Sequence, residues 1–175
     1  RSLAIVSFAY IDERLRDLFE QAINPDITGG PSSLLDGVAP LSSSSARIQV
    51  AAALYWIGPV TYRNLGILRK IRNEFAHVST AAQFSHRRIA GLLSSMDPVE
   101  KSILDAVAPD TMSTRVLSDR ERFYVRCVAT CQVMIMEMAT APTASRMGLE
   151  PRAMWGLDLS ALPQEFIVFN GTATT

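Results

Sequence analysis

The sequence holds few of the residues that identify a chemistry directly. Its 175 residues include two cysteines and two histidines, and its formal net charge is zero. Two cysteines cannot build a disulfide framework, and no spacing of cysteine and histidine matches a zinc site. Cys127 and Cys131 lie four apart on a predicted helix, so we expect them to pack on one face as small apolar groups. We therefore expect no cofactor and no metal, and we expect the protein to reside in the reducing cytoplasm.

Long hydrophobic runs are missing as well. No run reaches the roughly 20 apolar residues that a membrane-spanning helix needs. Residues 3–11 are the stretch closest to a leader, but three charged residues follow at 12–14 without a small-residue cleavage site. We expect a protein that does not enter a membrane. The chain opens on Arg1 rather than Met, and we expect it to begin inside a longer protein.

The chain does contain helical periodicity. With 48% hydrophobic and 19% charged residues it is a globular chain of single-domain length. Its apolar residues recur at the spacing of amphipathic helices and predict an all-α bundle of about six helices. The predicted helices cover residues 3–23, 44–57, 60–78, 84–95, 97–107 and 118–139, with a possible single turn at 32–36. We expect residues 1–141 to form the bundle. Residues 142–175 have three prolines and no helical period, and we expect an extended arm packed on the bundle.

Three of these helices lead to specific packing expectations. The helices at 44–57 and 60–78 should pack antiparallel through the joint Gly58-Pro59. Their contact would use Ile48, Ala52, Tyr55, Leu65, Leu68, Ile71 and Phe75. The last helix begins with Ser118 and Glu121 at the spacing of a capping box, and it carries methionines on several faces. A helix that is apolar on all sides is either central or at an interface, and from it we expect a homodimer.

Charge is distributed unevenly along the chain. Residues 47–88 carry seven Lys and Arg against one acid, Glu74, whereas the segments on either side are acidic. A basic middle in a neutral chain indicates a local site for an anion. The alternative is that these cations only line helix surfaces, with their aliphatic stems on the bundle and their charged heads in water.

The basic middle includes one polar stretch in a helix otherwise suited to packing, residues 69–77 (RKIRNEFAH). Arg72 lies at the edge of the apolar stripe, and Asn73 and His77 share a face away from its centre. An Arg that holds a phosphate and a His that exchanges protons near neutral pH suit phosphodiester chemistry. In the structural alternative, Arg72 bonds carbonyls of the 34–45 connection and His77 caps the helix end. The edge position of Arg72, and its separation of about 140° from His77 on an ideal helix, favour the structural alternative.

Two resemblances rest on these residues. The spacing Arg72-Asn73-x-x-x-His77 resembles the signature of the HEPN superfamily. A longer stretch, roughly residues 34–95, resembles the mannitol operon repressor family. The residues that carry this second resemblance are Leu34-Leu35-Asp36-Gly37, Pro40-Leu41, Ser45, Arg47-Ile48, Tyr55, Ile57-Gly58, Tyr62, Leu68-Arg69, Ile71-Arg72-Asn73, Ala76-His77 and Phe84.

The resemblances imply two classes of function. HEPN domains are helical bundles, often dimers, and many are metal-independent ribonucleases that use the Arg and the His. The repressor family implies a non-enzymatic, cytoplasmic transcriptional regulator that acts through protein partners. Its members lack a recognisable helix-turn-helix, and we expect none here, because no short glycine-containing turn is expected to join two helices of which the second is basic.

The regulator is the function we expect, and the alternative is a metal-independent endoribonuclease or nucleotide-binding domain. Arg72 and His77 are the catalytic candidates, with RNA or a nucleotide as the ligand. The binding candidates are Arg47, Arg69, Arg72, Asn73 and His77. A helical domain with a role that neither resemblance captures also stays open.

Overall fold

The protein is all-α in the part of the chain that the structure describes. The computed structural model describes residues 1–77, 83–98 and 117–146, and within these it contains no β-strand. The helices are α1 (Ser2–Ala22), α2 (Ser32–Leu35), α3 (Ser44–Ala53), α4 (Pro59–His77), α5 (Arg87–Ser94) and α6 (Asp119–Arg146). This confirms the fold class expected from the sequence. The helix expected at 97–107 and the arm beyond residue 146 lie outside the described residues.

Helix α3 ends four residues earlier than its sequence predicts. Tyr55 adopts a left-handed conformation with a φ of 59°. The backbone N–H of Tyr55 donates to Ala52 O at 3.1 Å, and that of Trp56 donates to Ala51 O at 2.8 Å. These two bonds form a Schellman motif, which stops a helix by reversing the backbone twist. Tyr55 is 40% exposed in this turn, beyond the end of α3, and its expected part in the contact between α3 and α4 stays a prediction.

Two other helix bounds also differ from expectation. α5 begins at Arg87 rather than at residue 84, because residues 84–86 form a turn that leads into it. α6 begins as predicted. The Glu121 carboxylate accepts from Ser118 N at 2.9 Å and the Ser118 hydroxyl accepts from Glu121 N at 3.3 Å, which is the reciprocal geometry of a capping box. α6 then continues to Arg146 instead of ending near residue 139, so the helix runs into the segment expected to be extended.

Helix α4 lies at the centre of the bundle. It packs against α1, α3, α5 and α6, and α1 packs along α6. The expected contact residues on α4 are fully buried: Leu65, Leu68, Ile71 and Phe75. α4 begins with Pro59, whose missing N–H costs nothing at the first helical position. The short joint at residues 54–58 thus lets α3 lie on the helix that follows it, as predicted.

An aromatic row joins α4 to α6. Phe84, in the turn before α5, lies between Phe75 of α4 and Phe123 of α6, with ring centroids 4.8 and 5.0 Å away. The tilted arrangement of the rings is one that aromatic pairs prefer. Phe75 and Phe123 have no exposed surface. This row therefore fixes the end of α4 that carries residues 72–77.

Helix α6 owes its apolar composition to its place in the bundle. Met134 and Met138 are buried, and Val133, Ile135 and Met136 are half-buried. This burial fits the central alternative, so α6 no longer argues for a homodimer, which stays a prediction. The buried thiols of the same helix pack as expected. Burial raises the pKa of Cys131 to about 11 and also raises that of Cys127, so neither thiol ionises near neutral pH.

Glu137 is a half-buried acid of α6. Burial raises the pKa of its carboxyl, while the Thr61 hydroxyl and the Gly58 backbone N–H act in the opposite direction. Thr61 Oγ1 and Glu137 Oε2 complete no hydrogen bond of normal geometry. The carboxyl thus lies near the first turn of α4, where the helix dipole favours a negative charge.

Phe75→Ala should lower the free energy of unfolding by about 3–5 kcal/mol, because it removes a fully buried ring from the aromatic row. Urea unfolding followed by far-UV circular dichroism measures this loss. Tyr124→Ala is the matched control, since Tyr124 adjoins Phe123 in sequence but is 53% exposed. The control should change stability by less than about 0.5 kcal/mol. Equal losses in the two variants would contradict the core described here.

Candidate anion-binding site

The buried arginine of the bundle is Arg47. It is 3% exposed and its guanidinium donates to Leu41 O at 2.7 Å and to Ser42 O at 3.0 Å. It also pairs with Asp12 of α1, with Nη2 and Oδ1 2.6 Å apart. Arg47 therefore joins α1, the loop before α3 and α3 itself. As a binding candidate it is wrong, because a side chain that is almost fully enclosed cannot contact a ligand.

Arg72 has the opposite environment. It is exposed, and its Nη1 donates to Asn73 Oδ1 at 3.1 Å. The expectation that Arg72 bonds carbonyls of the 34–45 connection is wrong, since Arg47 makes those bonds instead. Helical periodicity does not show whether a side chain at the edge of an apolar stripe is buried or exposed. The tertiary contacts decide that Arg47 is buried and Arg72 is exposed.

Arg72 and Asn73 line an open pocket of about 270 Å³ together with Arg69. The opposite walls come from the N-terminal turn of α3, where Ser43, Ser44 and Ser45 lie, and from α1. Ser43 Oγ caps α3 by accepting from Ala46 N at 3.1 Å. The remaining lining residues are Ile5, Phe8, Ala9 and Asp12. The carboxylate of Asp12 is paired with Arg47, so Arg69 and Arg72 are the cations of this pocket that no carboxylate of the described residues neutralises.

We call the surface formed by Arg69, Lys70, Arg72 and Asn73 the α4 cationic surface. Other cations of the basic middle are paired with carboxylates: Arg63 with Asp97 at 2.9 Å and Arg88 with Glu74 at 3.0 Å. Among the described residues, Arg69, Lys70 and Arg72 of α4 and Arg87 of α5 have no such partner. Since an unpaired arginine can bind a phosphate or carboxylate through two N–H groups, the α4 cationic surface can hold an anion.

Arg63 does not belong to the α4 cationic surface, because it is paired with Asp97. Asn64, fully buried, donates to Asp97 O at 3.0 Å and accepts from Asp97 N at 2.9 Å. Asp97 is thereby fixed against α4 beside Arg63. No sequence pattern indicates this arrangement, because Asn64 and Asp97 are 33 residues apart and neither belongs to a motif.

His77 is the last residue of α4. It follows Arg72 by five positions on a continuous helix, which separates the two positions by about 140° around the helix axis. Asn73 accepts a hydrogen bond from Arg72 and lines the pocket beside it. The structure therefore brings together Arg69, Arg72 and Asn73 of the predicted binding residues.

The pair α3–α4 has a basic second helix, but it does not contradict the expectation that no short glycine-containing turn joins such a pair. Its connection, residues 54–58, ends in Gly58. Five residues exceed the three or four of a DNA-reading turn, and α4 packs against four neighbours. A helix that reads bases must be free to enter the major groove of DNA, and this packing leaves α4 inside the bundle. The described part of the chain thus gives no support to direct base readout.

Metal ligands and membrane helices can be assessed over the same residues. Within the described ranges, no group of three or more His, Cys, Asp or Glu side chains is placed to hold a metal ion. None of the helices that the structure describes is long and apolar enough to cross a membrane.

Comparison of the chain with protein-family models, with curated proteins and with solved structures found no match. The resemblance to mannitol operon repressors and to HEPN domains therefore rests on the residues quoted in the sequence analysis alone.

Arg47→Met should lower the free energy of unfolding by about 2–4 kcal/mol, because it leaves Asp12 and two loop carbonyls without their donor. The loss stays below that of a fully enclosed ion pair, since the Asp12 side chain is 32% exposed. Arg72→Ala is the matched control and should change stability by less than about 0.5 kcal/mol. Thermal and urea unfolding of the two variants measure the difference. A larger loss for Arg72→Ala would restore the structural role that the sequence favoured.

Proposed function

We propose that this chain is a non-enzymatic transcriptional regulator similar to the mannitol operon repressor family. It binds a ligand with an anionic group, a phosphate or its equivalent, at the α4 cationic surface and acts through a protein partner rather than by reading bases. The homodimer expected from the sequence and a cytoplasmic location, which suits two free thiols, belong to the same proposal.

The observation that carries the proposal is the exposure of Arg72 beside Arg69 in an open pocket. A structural arginine would be enclosed and bonded to carbonyls, as Arg47 is. Arg69 and Arg72 line the same pocket without carboxylate partners in the described residues, so a bound anion relieves the repulsion between them. The α4 cationic surface is therefore better suited to a ligand than to the stability of the bundle.

Action through a partner is supported by the packing of the basic helix. α4 contributes fully buried residues to the core along most of its length, so it cannot leave the bundle to enter a DNA groove. A ligand bound at the α4 cationic surface also contacts α3 and α1, which form the other walls of the pocket. Its binding can therefore change the surface that these two helices present. A protein partner could recognise such a change without any contact to bases.

A charge-reversal experiment in cells tests the regulator. The gene is deleted in its host and replaced by variants, and transcript levels are measured by RNA sequencing. The triple variant Arg69→Glu, Lys70→Glu, Arg72→Glu should reproduce the deletion, because the anion would be repelled. Arg87→Glu is the control, since Arg87 is an exposed cation of α5 outside the pocket. Unchanged transcripts in the deletion strain would contradict the proposal. Sequence-specific binding of the purified protein to promoter DNA at physiological salt would contradict it as well.

A second function is favoured by one observation, the open position of Arg72 in an Arg-x4-His spacing: a metal-independent endoribonuclease. Such an enzyme needs the His and the Arg on the same phosphodiester, and one general acid or base contributes about 10²–10⁴-fold in rate. Within one chain, the separation of about 140° between the two positions opposes this geometry. The ribonuclease is therefore the weaker proposal.

Purified protein should leave single-stranded RNA intact over hours in the presence of a chelator, as gel electrophoresis of end-labelled RNA would record. His77→Ala and Arg72→Ala serve as controls for a contaminating nuclease, because any background cutting would persist in both. Cutting that survives the chelator and disappears in the His77 and Arg72 variants would replace the regulator by the ribonuclease.

A further inference from the structure

A second open space adjoins the pocket on the other side of Arg69. This groove between α3 and α4 has a volume of about 280 Å³ and shares Ser45 and Arg69 with the pocket. Its floor includes the buried side chains of Ile48 and Ile67. Its other lining residues are Gln49, Tyr62, Arg63, Gly66 and Lys70. The pocket and the groove thus adjoin at Ser45 and Arg69, and the groove combines an aliphatic floor with a cationic rim.

Gly66 keeps the groove open. It lies in the middle of α4, where glycine is about 1 kcal/mol less favourable than alanine. A Cβ added at this position meets no heavy atom within 4 Å, so no neighbouring side chain or backbone requires the glycine. The backbone conformation does not require it either, because Gly66 is absent from the glycines with positive φ. The missing side chain instead exposes the surface of α4 to whatever enters the groove.

Tyr62 supplies a flat surface at the rim of this groove. It is 43% exposed, although the groove beside it has an apolar floor. An exposed aromatic ring next to aliphatic side chains can stack on a planar ring, and the amide of Gln49 can exchange hydrogen bonds with the edge of such a ring. Lys70, at the same rim, has no carboxylate partner among the described residues. The groove therefore suits a planar ring that is linked to an anion.

We propose that the groove is the ring subsite of the α4 cationic surface and that the ligand is a phosphorylated nucleoside, with its base between Tyr62 and Gly66 and its phosphate between Arg69 and Arg72. This inference rests on the anion site of the proposed function and names the ligand class of that site. A free nucleotide and a single RNA strand present the same chemistry. A sugar phosphate lacks the ring and leaves the groove beside Tyr62 and Gly66 empty.

Isothermal titration calorimetry of the full chain tests the ring subsite with three probes: ribose 5-phosphate, the four nucleoside 5′-monophosphates and a short oligouridylate. At least one nucleoside monophosphate should bind about tenfold more tightly than ribose 5-phosphate, because stacking of the base adds to the phosphate contacts. Tighter binding of the oligouridylate identifies an RNA strand as the source of the nucleotide, and equal or weaker binding identifies the free nucleotide. Either result supports the nucleotide class.

Gly66→Leu fills the groove and should remove the preference for nucleoside monophosphates while leaving the affinity for ribose 5-phosphate unchanged. Gly91→Leu is the matched control, since Gly91 lies in α5 and a Cβ there also meets no atom within 4 Å. Tyr62→Ala, which removes an exposed ring, tests the same subsite if Gly66→Leu does not fold.

The outcomes separate the two proposals. Binding of ribose 5-phosphate as tightly as every nucleotide, or a nucleotide preference that survives both Gly66→Leu and Tyr62→Ala, overturns the ring subsite and leaves the anion site standing. Failure of every phosphorylated probe to bind overturns the anion site and the ring subsite together.

Discussion

The ion pair between Arg47 and Asp12 is the interaction on which the rest of the site depends. It fixes the first turn of α3 to α1, and the two hydrogen bonds from Arg47 to the loop carbonyls hold the chain that leads into α3. Among the described residues it is the polar contact that attaches α3 to α1, and without it the pocket walls formed by Ser43–Ser45 and by Asp12 could separate from α4. A charge buried in the bundle thereby shapes a site for a charge at its surface. It also neutralises Asp12, which would otherwise repel an anion.

The charge asymmetry of the sequence becomes informative only after the ion pairs are known. Seven cations in residues 47–88 predicted an anion site, but they did not identify the cations that form it. Arg47, Arg63 and Arg88 are paired with Asp12, Asp97 and Glu74. Two of these three acids lie outside the basic segment, so a sum over that segment could not count them. The four cations of this segment without a carboxylate partner in the described residues are Arg69, Lys70 and Arg72 on α4 and Arg87 on α5, so three of them lie within four positions of one helix and form a local surface.

The sequence predicted the helices well and the exposure of single side chains poorly. Periodicity locates α1, α4 and α6 because each buries a wide apolar face, and a wide face tolerates errors at its edges. Arg47 and Arg72 lie at such edges, and their burial depends on contacts with segments distant in sequence. The predicted end of α3 was wrong for a different reason. A Schellman turn usually contains glycine, and here the left-handed position is taken by Tyr55, which no turn rule selects.

Helix α4 serves both the core and the candidate site, and the position of Gly66 follows from this double role. Because α4 packs against four other helices, it gains most of its stability from those contacts rather than from helix propensity. The bundle can therefore tolerate a glycine at mid-helix, where an isolated helix would fray. The buried face fixes the positions of Arg69 and Arg72, since their backbone cannot shift without disturbing Leu68 and Ile71. The core thereby sets the spacing of the two arginines along the helix, while their long side chains keep the rotamer freedom to adjust to a bound anion.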